Sequence, residues 1–197
     1  MGDLLGFVVM NLAFNCLVGC TSLQGPVPEV RLPPKPIVQA GYVVVPLNEA
    51  GWRVFRRTPT QLALAKEGRH ADETITVQAG TYDARVESDP KLLERAEADT
   101  RDRFQLLEST SRPDERPTCI RRHLVTEDRA PVRRSGSKNA MILEAQMLTC
   151  THPGDQALGV ALMYSQRYDR GQRDPEFDAK AAELFKGLRF TEVASAR

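Results

Sequence analysis

The fold is decided by two stretches of sequence, CIRRHLV (residues 119–125) and AMILEAQMLTC (residues 140–150). Both alternate apolar and polar side chains with a period of two, which is typical of half-buried β-strands. The polar segment between them has the composition of a hairpin loop, so the strands are expected to pair antiparallel. A register that sets Cys119 opposite Cys150 gathers the apolar side chains on one face, and a shift of one residue would undo this sorting. That face carries Ile120, Leu124, Leu143, Ala145 and Met147.

The same register sends four polar side chains to the opposite face of the hairpin: Arg121, His123, Glu144 and Gln146. If helices cover only the apolar face, the polar face is exposed and open to a partner. We therefore predict that these four residues form an interaction face.

Other segments share the alternating pattern, and two segments have a helical period instead. The strand patterns include GYVVVP (41–46), GWRVFRR (51–57), QLALAKEG (61–68), ETITVQA (73–79) and LGVALMYSQRYD (158–169). The helical segments are 88–109 and 173–190, each with an aspartate followed by a proline at its start. Their apolar stripes are Leu93, Ala96, Thr100, Phe104 and Leu107 in the first, and Phe177, Ala181, Leu184, Phe185 and Leu188 in the second.

These patterns predict an α+β fold, mainly an antiparallel sheet with two helices packed on it, in the order β-β-β-α-β-β-β-α. This order, together with the closing segment AAELFKGLRF (181–190), resembles the architecture of PsbP-like domains. The resemblance concerns the fold alone and implies no function.

The beginning of the chain carries a second signal. Residues 4–17 are apolar apart from two asparagines, which is too short for a membrane-spanning helix and has the length of a secretory signal's apolar region. The following LVGC (17–20) resembles the lipobox of bacterial lipoproteins. The resemblance implies that residues 1–19 are a signal peptide, that Cys20 carries the lipid, and that Thr21 as second mature residue directs the protein to the outer membrane. A buried helix that happens to end in a cysteine is the alternative.

The residues after Cys20 support the lipoprotein interpretation. Residues 20–40 are rich in proline, which removes backbone donors and prevents helix or central strand. We expect this stretch to be an extended tether, followed by a single periplasm-facing domain over residues 41–197.

Two cysteines, Cys119 and Cys150, remain in the expected domain once Cys16 leaves with the signal and Cys20 is lipidated. Because an exported compartment is oxidising, a disulfide between them is expected. Free thiols remain an alternative. So does a zinc site that would add His123 and His152, although His123 would lie ~13 Å along the strand from Cys119, too far for a shared metal.

Composition and motifs exclude little and identify no reaction. The formal net charge is +1, with 27 basic and 26 acidic residues, so nothing demands a nucleic acid partner. No common catalytic or nucleotide-binding motif is present, and no cofactor or metal is implied. Basic residues at 56–57, 121–122 and 133–138 would bind anions only if they converged.

The sequence therefore predicts a lipid-anchored envelope protein that acts without catalysis, as a binding or assembly module for an envelope protein partner. A periplasmic enzyme with an unrecognised site, or a module that binds anions or lipids, is the alternative. The inner membrane is the alternative location.

Overall fold

The computed structural model describes residues 29–32, 34–84, 103–131 and 133–192. These ranges contain ten strands and one helix. The strands are β1 (Ile37–Gln39), β2 (Tyr42–Val44), β3 (Arg53–Arg57), β4 (Gln61–Glu67), β5 (Thr74–Asp83), β6 (Phe104–Pro113), β7 (Cys119–Asp128), β8 (Met141–His152), β9 (Asp155–Tyr168) and β10 (Arg189–Phe190), and the helix is α1 (Phe177–Lys186).

Seven of the strands form one antiparallel sheet in the order β3-β4-β5-β9-β8-β7-β6. The hairpin of β8 and β9 lies at its centre, and β9 joins it to β5. A second sheet of three short strands, β1-β2-β10, receives the chain as it leaves α1. The sheet edges are therefore β3 on one side and β6 on the other.

The register of β7 and β8 is the one that the sequence predicts. Cys119 lies opposite Cys150 and Leu124 lies opposite Ala145. The two cysteines are joined by a disulfide. Both are buried in the larger apolar core, so the covalent link ties neighbouring strands inside the domain.

The helix α1 packs on β8 and β9 and buries the predicted stripe. All five stripe residues are buried: Phe177, Ala181, Leu184, Phe185 and Leu188. They meet Leu148, Val160, Leu162 and Tyr164 of the sheet in the larger core. A smaller core on the other face contains Phe104, Leu124, Leu143, Ala145, Met147 and Met163.

The prediction of two helices on the sheet is wrong. Only α1 is helical in the part of the chain that the structure describes, and the order is ten strands with α1 between β9 and β10. Residues 88–102 of the first predicted helix lie outside the described residues, but its final part, with Phe104 and Leu107, belongs to strand β6. Pairing with β7 outweighs the helical spacing of these side chains, because propensity is a weak prior against tertiary contacts.

Residues that precede the predicted domain start at residue 41 also contact the sheets. β1 (Ile37–Gln39) pairs with β2, and Glu29 bridges to Arg53 of β3. The amide of Val30 donates to the carbonyl of Trp52 at 2.7 Å. Residues 29–30 of the proline-rich stretch thus contact the β3 edge of the large sheet, and residues 37–39 pair with β2 in the small sheet.

We predict that Cys119→Ala lowers the free energy of unfolding by about 2–4 kcal/mol, because the disulfide closes a loop between cysteines 31 residues apart. Thermal and denaturant unfolding of protein purified without reductant measures the loss. The double change to alanine at both cysteines is the control and should lose a similar amount. Alkylation of both thiols in unreduced protein, after unfolding in denaturant, would contradict the prediction.

Candidate functional site

A buried carboxylate, Glu144, is the centre of the polar cluster on the helix-covered face of the sheet. It lies on β8 opposite Val125 of β7 and Gln166 of β9. His123 and Tyr168 are two residues along from these partners, so they are its diagonal neighbours on the same face. The Nε2 atom of His123 lies 2.7 Å from one Glu144 oxygen, and the Tyr168 hydroxyl donates to the other at 2.8 Å.

Arg173, in the loop between β9 and α1, completes this cluster. Its Nε and Nη2 atoms donate to the two oxygens of Glu144, each at 2.8 Å. Nη2 also donates to Asp178 in the first turn of α1, and the side-chain amide of Gln146 donates to the carboxylate of Asp178 as well. Glu144 therefore links three strands of the sheet to the start of the helix. We call Glu144, His123, Tyr168 and Arg173 the Glu144 cluster.

Hydrogen bonds decide the charge state of the Glu144 cluster. Burial alone would raise the pKa of Glu144, but hydrogen bonds from His123, Arg173 and Tyr168 outweigh it and lower the pKa to about 2. The hydrogen bond to Glu144 raises the pKa of His123 against the effect of burial, with help from Glu108 and Asp178. The carboxylate is thus ionised at neutral pH and holds the guanidinium of Arg173.

The chemistry of the Glu144 cluster is that of a structural ion-pair centre. Both oxygens of Glu144 already accept hydrogen bonds, and only 3% of its side chain is exposed. His123 is 26% exposed, and its Nδ1 atom lies 3.7 Å from Glu108. A carboxylate saturated in this way orients His123 and Arg173 and has no free lone pair directed at a substrate.

The predicted interaction face is not the helix-free face that the sequence suggested. Helix α1 packs on the same face as its four residues, and Glu144 is buried. Arg121 pairs with Asp114, whose pKa is lowered to about 2 because hydrogen bonds from Arg116 and Arg121 outweigh burial. Arg121, His123 and Gln146 are only partly buried, whereas Glu144 is removed from the surface.

The isolated histidines and cysteines carry other contacts. Nδ1 of His152 accepts from the Gly154 amide at 3.0 Å, and Nε2 lies 3.0 Å from the carbonyl of Thr191. Cys150, which the sequence offered as an alternative zinc ligand, is bonded to Cys119. In the ranges that the structure describes, no group of three or more histidine, cysteine or acidic side chains is arranged to hold a metal ion.

The basic residues of the β7–β8 loop, which the sequence offered as part of an anion site, make contacts inside the domain. Arg133 is 5% exposed and pairs with Asp72 and Asp169. Arg134 donates to the carbonyl of Ala71 at 2.7 Å. Two of its basic side chains thus fix the β7–β8 loop against the β4–β5 turn.

Strand β6 is a second feature of the surface, and it lies at the edge of the sheet. Of its ten residues, only Phe104 is buried and only Ser109 is intermediate, so side chains on both faces of the strand are exposed. Leu106 and Leu107 are among the exposed large apolar side chains, at 40% and 44%. Within the described ranges, no strand pairs with its outer side. We call Phe104–Pro113 the β6 edge.

One contact shows which backbone groups of the β6 edge face β7 and which face outward. The amide of Asp114 donates to the carbonyl of Cys119 at 3.0 Å, so Asp114 faces β7. Backbone groups alternate in direction along an antiparallel strand, so those of Ser109, Ser111 and Pro113 face away from β7. Pro113, which has no amide hydrogen, occupies an outward position as expected for an edge strand.

Comparisons with known proteins give little. No protein-family model matches the chain, and no curated protein matches it. Among solved structures, the chain is similar to a mutant of protein Mog1, with 12% sequence identity and a TM-score of 0.43, over 87% of this chain and 98% of that chain. A similarity at this level carries no argument about function.

The structure describes no helix that is long and apolar enough to cross a membrane.

We predict that His123→Ala costs more stability at about pH 5.5 than at about pH 8.5. The pKa of His123 is raised in the folded state, so its stabilising contribution is complete below its unfolded pKa of about 6.5 and is lost as the pH rises through the folded pKa. The difference should be roughly 1 kcal/mol, modest because His123 is partly exposed. Denaturant unfolding at both pH values measures it.

The same change at His70, which is exposed, is the control for the loss of an imidazole away from the Glu144 cluster. An equal loss for His123→Ala at both pH values would contradict the electrostatic role of the Glu144 cluster.

Proposed function

We propose that this chain is a lipid-anchored protein of the bacterial cell envelope whose domain is a non-catalytic binding or assembly module for a protein partner. The lipid attaches at Cys20 and the location is the outer membrane, facing the periplasm. The support for the anchor comes from the sequence, because the apolar run, the LVGC motif and the prolines occur in the order typical of lipoproteins. A disulfide inside the domain is consistent with an oxidising compartment.

The observation that carries the binding role is the β6 edge. An edge strand with outward backbone groups is a template for an added strand from another chain. Main-chain hydrogen bonds would supply the affinity, and the exposed side chains on both faces would supply the specificity. The Glu144 cluster contributes rigidity, since it fastens β7, β8 and β9 beside this edge.

The position of the tether agrees with this role. Glu29 joins the domain at β3, whereas β6 is the opposite edge of the same sheet. Six strand spacings separate the two edges, or ~29 Å at ~4.8 Å per spacing. The membrane attachment therefore leaves the β6 edge accessible.

We predict that Cys20→Ser abolishes labelling with palmitate and moves the protein from the membrane fraction to the soluble fraction, because serine provides no thiol for lipid transfer. Labelling of growing cells, followed by fractionation, measures both effects. Cys16→Ser, four residues earlier, is the matched control and should change neither. A membrane-bound serine variant together with an unlabelled parent protein would refute the lipid anchor.

We predict that Ser111→Pro reduces co-purification of the protein partner from solubilised membranes. Proline at this outward position removes an amide that a partner strand would use and leaves the bonds to β7 in place. Ser111→Ala keeps the amide and is the matched control. Melting temperatures of both variants establish that they fold, and equal partner recovery with both would count against binding at the β6 edge.

A further inference from the structure

We infer that the β6 edge pairs with the β6 edge of a second copy of this chain, antiparallel and centred on Thr110. This inference rests on the proposed role of the edge as a binding surface and names the partner. The two copies would join their sheets into one continuous antiparallel sheet around a twofold axis.

The length of strand that remains open to pairing selects this centre. A bulge between Leu106 and Glu108 interrupts the edge on one side. Pro113, which cannot donate an outward hydrogen bond, limits it on the other side. The regular segment between these limits is Glu108–Arg112, and its middle residue is Thr110. An added strand gains the longest regular pairing when the centres of the two segments coincide.

The hydrogen-bond phase permits the same arrangement. The outward groups belong to Ser109 and Ser111, which lie on either side of Thr110. With Thr110 on the twofold axis, Ser109 of each copy faces Ser111 of the other, and each such pair exchanges two backbone hydrogen bonds. Thr110 then faces its own counterpart in a non-hydrogen-bonded pair, where side chains lie closest.

Charge complementarity favours a second copy over an unrelated strand. In this register, Glu108 of each copy lies opposite Arg112 of the other, again in non-hydrogen-bonded pairs. Both side chains are exposed on the face of the strand that carries Thr110. Two opposite-charge cross-strand pairs therefore form at once, while a shift by one pairing step in either direction would lose both.

The twofold axis is also compatible with anchoring in one membrane. An axis through antiparallel edge strands of a continuous sheet is perpendicular to that sheet, so both copies direct the same face to the same side. Each tether attaches at the far β3 edge of its own copy, away from the junction. Confinement to a membrane raises the effective concentration of two anchored copies, which favours a short strand pairing.

Site-directed cysteine crosslinking tests the register on the full chain in detergent-solubilised membranes, with copper-catalysed air oxidation. Thr110→Cys should form a disulfide-linked dimer by itself. Neither Ser109→Cys nor Ser111→Cys should do so alone, but a mixture of these two variants should. A dimer from Ser109→Cys alone or from Ser111→Cys alone would overturn this register, and monomers throughout would overturn the pairing of two copies.

Charge exchange provides an independent test by light scattering of the unoxidised chain in detergent. Glu108→Arg and Arg112→Glu should each lose the dimer, because like charges then face each other, and the double variant should recover it. Arg57→Glu on the opposite β3 edge is the control and should leave the dimer unchanged. A dimer that withstands both single changes would overturn the inference.

The outcome separates the inference from the proposed function. If Ser111→Pro loses the partner while the chain is monomeric in both crosslinking and light scattering, the partner is not a second copy. The β6 edge then remains the binding surface for another protein. Equal recovery with Ser111→Pro and Ser111→Ala would count against the edge itself.

Discussion

The register between β7 and β8 is the constraint on which the rest of the structure depends. Cys119 opposite Cys150 fixes which side chains of both strands face α1. Because side chains alternate with a period of two, this single choice sends Leu148 into the larger core and Met147 into the smaller one. It also sets the phase of β6, which pairs with the other side of β7.

The Glu144 cluster shows how a buried charge serves a sheet that has a helix on one face. Removing a carboxylate from water costs several kcal/mol, and a single partner rarely offsets this cost. Here His123, Tyr168 and Arg173 all bind it, and hydrogen bonds to charged groups are worth about 1.5–3 kcal/mol each. The cluster specifies where the loop before α1 lies, since Arg173 reaches both Glu144 and the first turn of the helix.

The two edge strands of the large sheet differ in length and in exposure. β3 is short, has a bulge and is bridged by Glu29 from the stretch that precedes the domain. β6 is twice as long and exposes both faces, although a bulge and a proline limit the part that another strand can use. Proteins commonly shorten or charge their edges to prevent unwanted pairing. On β6 the charges Glu108 and Arg112 are self-complementary, which restricts pairing to one register and leaves the edge usable.

The sequence by itself determined the strands with clear alternation, the pairing of β7 with β8 and the buried stripe of α1, because local periodicity and the two cysteines constrain these features directly. It also brought His123 and Glu144 to one face. Only the tertiary structure decided that α1 covers that face, so that Glu144 became a buried centre. Tyr168 and Arg173 joined it from distant positions that no local pattern links to β8.

The final turn of the first predicted helix shows the same limit most clearly. Phe104 and Leu107 are spaced for a helix, and nothing in the local sequence reveals that β7 has a free side for them. In the fold, pairing with β7 makes this segment a strand and buries Phe104. Leu107 lies at the bulge between Leu106 and Glu108. Strand pairing between distant segments depends on which edges the rest of the chain leaves open, and that is a property of the assembled sheet.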